Sequence, residues 1–179
     1  MTEQELISLL KNPKTLNIGF KELVATYKER LYWHIRKIVI NHDDTDDVLQ
    51  NTFIKVYRNI EKFKAESKLY SWMYRIATNE ALTFIKQRAK KNNSSTEEVQ
   101  SSILNNLTAD TYFDGDTAQL KLQHAIAKLP QKQQLVFNMK YFDNIKYQEM
   151  SEILETSVGA LKASYHIAVK KIEEYITNG

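Results

Sequence analysis

Apolar side chains recur at steps of three and four residues in two separate blocks of this chain, and that period restricts its fold more than any other feature. In the first block Phe20, Leu23, Val24, Tyr27, Leu31, Ile35, Ile38 and Val39 outline one amphipathic helix, and Leu49, Phe53, Val56, Ile60 and Phe63 outline a second. A third runs from about Ser67 to Arg88. In the second block Pro130 opens a helix carrying Leu135, Val136 and Met139, because proline suits the first helical turn. The turn YFDNI leads to a helix from about Lys146 to Leu154, with Tyr147, Met150, Ile153 and Leu154 on its apolar side. Ser157 stands as N-cap of a longer last helix in which Leu161, Tyr165, Ala168, Ile172 and Tyr175 point inward. Only four glycines and two prolines occur in 179 residues, so turn formers are scarce and the fold class predicted is all-α.

The two blocks are separated by residues 92–118, a polar stretch without a sustained apolar period, which predicts a flexible linker between two small helical domains. The expected organisation is an N-terminal extension over 1–19, a first domain over 20–91, the linker over 92–118 and a second domain over 119–179. Charge follows the same division. Residues 20–91 hold fifteen basic against nine acidic side chains, the linker holds five acids and no base, and residues 119–179 hold eight bases against six acids. A flexible tether of this length reaches roughly 25 to 30 Å, enough for two modules to engage well-separated sites on one partner.

Several classes of chemistry are excluded early. With no cysteine there is no disulfide, thiolate nucleophile or cysteine metal site. No apolar run approaches the roughly 20 residues of a membrane span, and the N-terminus lacks a basic segment followed by an apolar one, so a cytoplasmic location is expected. His34, His42, His124 and His166 are scattered without metal-ligand spacing. No metal or cofactor site is therefore expected.

Three surfaces carry binding chemistry. Asp43, Asp44, Asp46 and Asp47, followed by Gln50 and Asn51, crowd the start of the second helix, where the macrodipole favours carboxylates. Capping accounts for one or two of them, and a solvated helix start and an acceptor patch both fit the residues alone. On the third helix Lys68, Arg75, Asn79 and Lys86 fall within about 20° of one line at 100° per residue. Trp72, Tyr70 and Tyr74 flank that stripe; cations for phosphates, rings for stacking and an amide for a base edge are what single-stranded DNA requires. The same rings also suit a helical core. In the second block, a short helix, a tight turn and a longer helix form the unit that enters a major groove. Ala160, Lys162, Ala163, Ser164 and His166 lie on its outward face, followed by Lys170.

In this order, DDTDDVLQNTFIKVYRNIEKF, SKLYSWMYRIATNEAL and LPQKQQLVFNMKYFDNIKYQEMSEILETSVGALKASYHIAVKKI resemble an extracytoplasmic-function (ECF) sigma factor of the sigma-70 family. The resemblance spans residues 20–91 and 119–176 and leaves the linker and first 19 residues unmatched. It implies a promoter-specificity subunit of bacterial RNA polymerase that is not itself an enzyme, reduced to regions two and four, with core polymerase and promoter DNA as partners and an anti-sigma factor as a further one. It implies that Asp43, Asp44, Asp46, Asp47, Gln50 and Asn51 dock on the β′ clamp helices. Lys62, Lys64, Ser67, Lys68, Trp72, Tyr74, Arg75, Asn79 and Lys86 would capture and melt the minus-ten element. Ser157, Ala160, Lys162, Ala163, Ser164, His166 and Lys170 would read the minus-thirty-five element, while region four also packs on the β flap. The acidic linker is expected to avoid DNA and favour a basic polymerase channel.

The sequence departs from the family at two places. After Val158 and Gly159 the family usually shows Thr-Val-Lys-Ser-Arg, whereas this chain has Ala160, Leu161, Lys162, Ala163 and Ser164, and no arginine follows Arg88. An arginine fork on guanine contributes about 1 to 3 kcal/mol of discrimination, so minus-thirty-five reading is expected to lean on shape, phosphates or other bases. Asn51 stands where glutamate is common beside Gln50, removing one charge from the docking patch. The alternatives are a stand-alone helix-turn-helix regulator with a sensing or dimerising N-terminal bundle, a helical enzyme and a passive adaptor. The regulator would bind duplex DNA without polymerase.

Overall fold

The three- and four-residue spacing becomes helix throughout a computed structural model that describes residues 1–105 and 116–178. Helix α1 (Glu3–Lys11) begins at a capping box between Thr2 and Glu5, and its Leu6 and Leu10 are buried against α2 (Leu16–Val39). A Cβ at Gly19 would come 2.9 Å from that of Leu9, so glycine permits this close approach. The first 19 residues are thus a packed helix and the opening turn of α2. Helix α3 (His42–Asn59), a 3-10 turn (Ile60–Lys62) and α4 (Leu69–Lys91) complete the N-terminal unit. Leu23, Leu31, Ile35, Val56, Leu69, Met73, Ala77 and Ile85 fill its core.

The corner between α2 and α3 aims the acidic helix. Ile40 holds φ 73° in a γ-turn, with Asn41 N–H donating to the Val39 carbonyl at 2.9 Å. A β-branched residue is strained there, and Arg36 offsets the strain by donating from Nε to the Ile40 carbonyl at 3.2 Å. Asn41 then caps α3, its Oδ1 accepting from the Asp44 amide at 3.0 Å.

The polar stretch 92–118 departs from the expected tether, because Thr96–Asn105 form helix α5. Ser95 and Glu98 make a capping box, Ser95 Oγ accepting from the Glu98 amide at 3.1 Å and Glu98 Oε2 from the Ser95 amide at 2.9 Å. Val99 and Leu104 are buried, and Gln100 and Gln134 exchange a reciprocal pair of amide hydrogen bonds at 3.2 Å. A narrow apolar stripe suffices once buried amides satisfy each other. Of the acids expected to repel DNA, Glu98 is committed to this cap and Asp116 caps the next helix, while Asp110 and Asp114 lie outside the described residues.

The C-terminal unit contains α6 (Thr117–Ala127), α7 (Gln131–Tyr141), α8 (Tyr147–Leu154) and α9 (Val158–Asn178). Between α8 and α9 Glu155 turns the chain in the left-handed region at φ 52°, and Ser157 Oγ accepts from the Ala160 amide at 3.2 Å, so the helix-turn-helix forms where its period placed it. Ala125, Ile126, Phe137, Ala168 and Ile172 make a local core. The two units are also docked: Leu135, Val136, Met139, Ile145, Met150, Ile153 and Leu161 are continuous with the apolar core of α2 to α4. No helix among the described residues is long and apolar enough to cross a membrane.

Candidate nucleic-acid interface

On α3 the carboxylates divide into two sets. Asp44 receives both arms of Arg88 on α4, with Nη1 to Oδ2 at 2.5 Å and Nη2 to Oδ1 at 3.3 Å, and so clamps two helices together. Asp46 lies 3.4 Å from His42 Nε2. Asp43, Asp47, Gln50 and Asn51 stand exposed, and at steps of four and three they share one face. Ile54, which is not among the residues expected to dock, extends that face and is 46% exposed. Its signal was available: it is an apolar residue outside the stripe of Leu49, Phe53 and Val56.

On α4 Lys68, Arg75, Asn79 and Lys86 are exposed, as the helical period requires, but two of the cations are engaged by the C-terminal unit. Lys68 Nζ donates to Glu149 Oε1 at 2.6 Å, and this bond holds the lysine above its ordinary pKa. Arg75 Nη2 donates to Glu155 at the αL turn. Trp72 is half-buried against Phe63, with centroids 5.2 Å apart. Lys62 and Lys64 are exposed and Ser67 half-buried on the loop before α4.

Tyr74 differs from its expected place on the DNA-facing surface. Its ring is fully buried, stacked on His34 with centroids 3.8 Å apart and tilted against Tyr70 at 4.9 Å, and its hydroxyl donates to Asp143. Position 74 lies on the side of α4 that faces α2, so the ring belongs to the core in this arrangement. Burial pushes the neighbouring Tyr70 hydroxyl up to about 12. Asp143 ties the units together, since it also accepts from Lys37 Nζ at 2.5 Å.

His34 sits beneath this junction. Thr78 Oγ1 donates to the Tyr74 carbonyl at 2.7 Å and therefore accepts from His34 Nε2, also at 2.7 Å, which fixes the tautomer with the proton on Nε2. Nδ1 makes no hydrogen bond among the described residues. Burial, aided by the Lys37 ammonium, holds His34 well below the usual histidine pKa, so it is neutral in the folded chain. An unfolded histidine takes up its proton near 6.5, so stability is full above that pH and falls progressively as pH drops below it. Denaturant midpoints measured between about pH 8 and pH 5.5 should decline on the acid side, and His34→Phe should flatten the decline. An equal slope in the variant would assign the acid sensitivity to other groups.

The outward face of α9 keeps its expected residues together. Ser157, Ala160, Lys162, Ala163, His166 and Lys170 are exposed, Ser164 is half-buried, and Lys162 Nζ lies 5.8 Å from the Tyr147 ring centroid. Lys162 and Lys170 form no ion pair among the described residues, in contrast to Lys68 and Arg75. Ile167, 45% exposed, shares this surface and gives it an apolar spot that could meet a thymine methyl.

Comparison with known proteins matches Sigma-70 region 2 to residues 23–91 and Sigma-70, region 4 to residues 119–172. The ECF RNA polymerase sigma factor SigW of Bacillus subtilis is 33% identical over 160 residues, covering 83% of each protein. The ECF RNA polymerase sigma-E factor of Haemophilus influenzae is 26% identical over 188 residues, covering 98% of this chain and 96% of that one. Among solved structures, CnrH in complex with the cytosolic domain of CnrY superposes with TM-score 0.70 at 18% identity, over 98% of this chain and 97% of that chain. The sigma factor RpoE in complex with the anti-sigma factor NepR from Bartonella quintana gives 0.66 at 17%, over 88% and 96%. At those identities the two structures speak to fold alone. Helix α1 lies outside both matched regions.

Proposed function

The chain belongs to the extracytoplasmic-function sigma factors of the sigma-70 family, which makes it an RNA polymerase sigma factor, and from that premise we propose how its helices divide the work. Residues 20–91 act as region two and 119–179 as region four, with 92–118 as the connection between them. Asp43, Asp47, Gln50 and Asn51, with Ile54 beside them, grip the β′ clamp helices of core polymerase, whereas Asp44 serves α3 from within. Lys68, Arg75, Asn79 and Lys86, helped by the loop Lys62 to Ser67 and by Trp72, take the minus-ten strand. Ser157, Ala160, Lys162, Ala163, Ser164, His166 and Lys170 enter the major groove of the minus-thirty-five element, and region four also meets the β flap.

The observation that supports this most is the separation of three exposed surfaces of suitable chemistry: a carboxylate stripe on α3, a cationic stripe on α4 and a small-residue, lysine-edged face on α9. Each DNA contact is weak alone, and polymerase binding converts the second into an intramolecular event with a high effective concentration. Because Glu149 and Glu155 engage Lys68 and Arg75 in the free chain, the two units part before the minus-ten strand is bound. The chain itself makes and breaks no bond, and it works in the cytoplasm beside the polymerase. An anti-sigma factor is a further partner; RpoE, whose fold this chain shares, is held by one in its solved structure.

Transcription in vitro with purified bacterial core polymerase and a promoter library tests the assignment. Promoter-specific transcripts that depend on this chain are expected, and their absence would overturn it. Asn79→Ala should leave polymerase affinity within about twofold and lower open-complex formation by about tenfold, the worth of one bidentate base contact. Equal loss of both would return Asn79 to a structural role. A stand-alone regulator would bind duplex DNA tightly without polymerase, and an exposed carboxylate stripe at a helix start serves no purpose in such a protein.

A further inference from the structure

Helix α1 holds both ends of the loop that carries Lys62, Lys64 and Ser67. At its C-terminal end Lys11 donates from Nζ to the Glu61 carbonyl at 2.9 Å and to the Phe63 carbonyl, while the same ammonium lies 5.9 Å from the Phe63 ring centroid. At its N-terminal end Glu3 accepts from the Leu69 amide at 3.1 Å. Leu69 is the first residue of α4, and the N-cap residue of that helix, Lys68, makes no side-chain cap. Glu3 therefore supplies from another helix the acceptor that α4 lacks locally.

Between the two clamps Lys64, Ala65 and Glu66 are exposed, and Ala65 occupies the left-handed region at φ 57°, which is unfavourable for a residue with a Cβ. Such a loop would sample many conformations if its ends were free, and fixing each residue on binding carries an entropy cost. Holding both ends in advance removes part of that cost. The brace is itself rigid: Leu6 and Leu10 are buried, Gly19 lets α1 lie close against α2, and Thr15 Oγ1 donates to the Leu9 carbonyl at 2.8 Å. Phe63, gripped at its carbonyl by Lys11, is packed in turn on Trp72.

We propose that α1 is a positioning element for promoter melting, in which Lys11 and Glu3 pre-set the loop from Lys62 to Ser67 so that an unstacked minus-ten base meets a formed receptor. Neither residue touches DNA; both act through the loop. The proposal rests on the minus-ten role assigned above.

The test uses holoenzyme reconstituted from the full chain and core polymerase, with Lys11→Met, Glu3→Ala and the conservative Lys11→Arg. Open-complex formation is measured on a promoter recognised by the wild-type chain and on the same promoter with its minus-ten bases substituted, and the ratio of the two is compared. A poorly folded variant loses activity on both promoters equally, so the ratio is insensitive to active fraction. The ratio should fall about tenfold in Lys11→Met, the scale of one charge-assisted hydrogen bond, and by a similar factor in Glu3→Ala, with polymerase affinity within about twofold of wild type. Lys11→Arg, which keeps a cation able to reach both carbonyls, should restore the ratio. An unchanged ratio in both disruptive variants overturns the brace. A wild-type chain that supports no promoter-specific opening overturns instead the sigma-factor assignment of these surfaces.

Discussion

Asp47→Lys is expected to abolish binding of the chain to core polymerase and to leave the chain folded. Asp47 is exposed on the side of α3 opposite Val48, Leu49 and Thr52, which are buried. The substitution creates no cavity. Its charge reversal at the helix start costs at most about 1 kcal/mol through the macrodipole. At the docking surface the same change replaces an attraction to basic side chains by a repulsion. Removing one partner of a close interfacial charge pair costs about 2 to 5 kcal/mol, so reversal should weaken association by well over a hundredfold. Fluorescence anisotropy with labelled chain measures the affinity, and thermal melting checks the fold. Normal assembly would remove α3 from the docking surface. Asp44→Ala should behave differently, lowering the melting temperature first, because it strips both arms of Arg88 of their acceptor.

Asp143→Ala should part the two units of the free chain. Asp143 accepts from Lys37 and from the Tyr74 hydroxyl, and it is 15% exposed, so its removal leaves a cation and a phenol without their acceptor at a nearly dry junction. Breaking a buried pair from one side typically costs about 3 to 5 kcal/mol. Separation relieves that cost by letting water reach Lys37 and Tyr74, whereas the core of α2 to α4 can persist around Leu31, Ile35 and Met73. The expected readouts are a larger radius of gyration in small-angle scattering and tighter binding of the free chain to a single-stranded minus-ten oligonucleotide, since Glu149 and Glu155 no longer pair with Lys68 and Arg75. An unchanged radius with unchanged oligonucleotide affinity would mean that the apolar contacts of Met150 and Ile153 hold the units together unaided.

Much of the helical order was legible because its causes are local. Apolar residues at steps of three and four located α2, α3, α4, α8 and α9 within a few residues of their observed limits, and Ser157 marked the cap of α9. Helix α5 was missed because its stripe is narrow and its surroundings polar. The pair Ser95 and Glu98, three residues apart ahead of Val99, was the available sign of a helix start. The same spacing in Thr2 and Glu5 was the unused sign of α1, whose residues were expected only as an N-terminal extension. The stripe of Lys68, Arg75, Asn79 and Lys86 was also legible, because a rotation of 100° per residue follows from the backbone alone.

The chain's own order of residues thus determined where helices start, which sides are apolar and which residues share a face, since these depend on neighbours within about a turn or two. Only the tertiary structure decided that Tyr74 turns into the core, that Asp44 belongs to Arg88, and that Lys68 and Arg75 pair with carboxylates from the other unit. Lys68 and Glu149 are 81 positions apart, and Tyr74 and Asp143 are 69. Such partners meet through the packing of Met150, Ile153 and Leu161 onto α2 to α4, a non-directional burial of apolar surface that leaves no periodic trace near the polar residues it brings together.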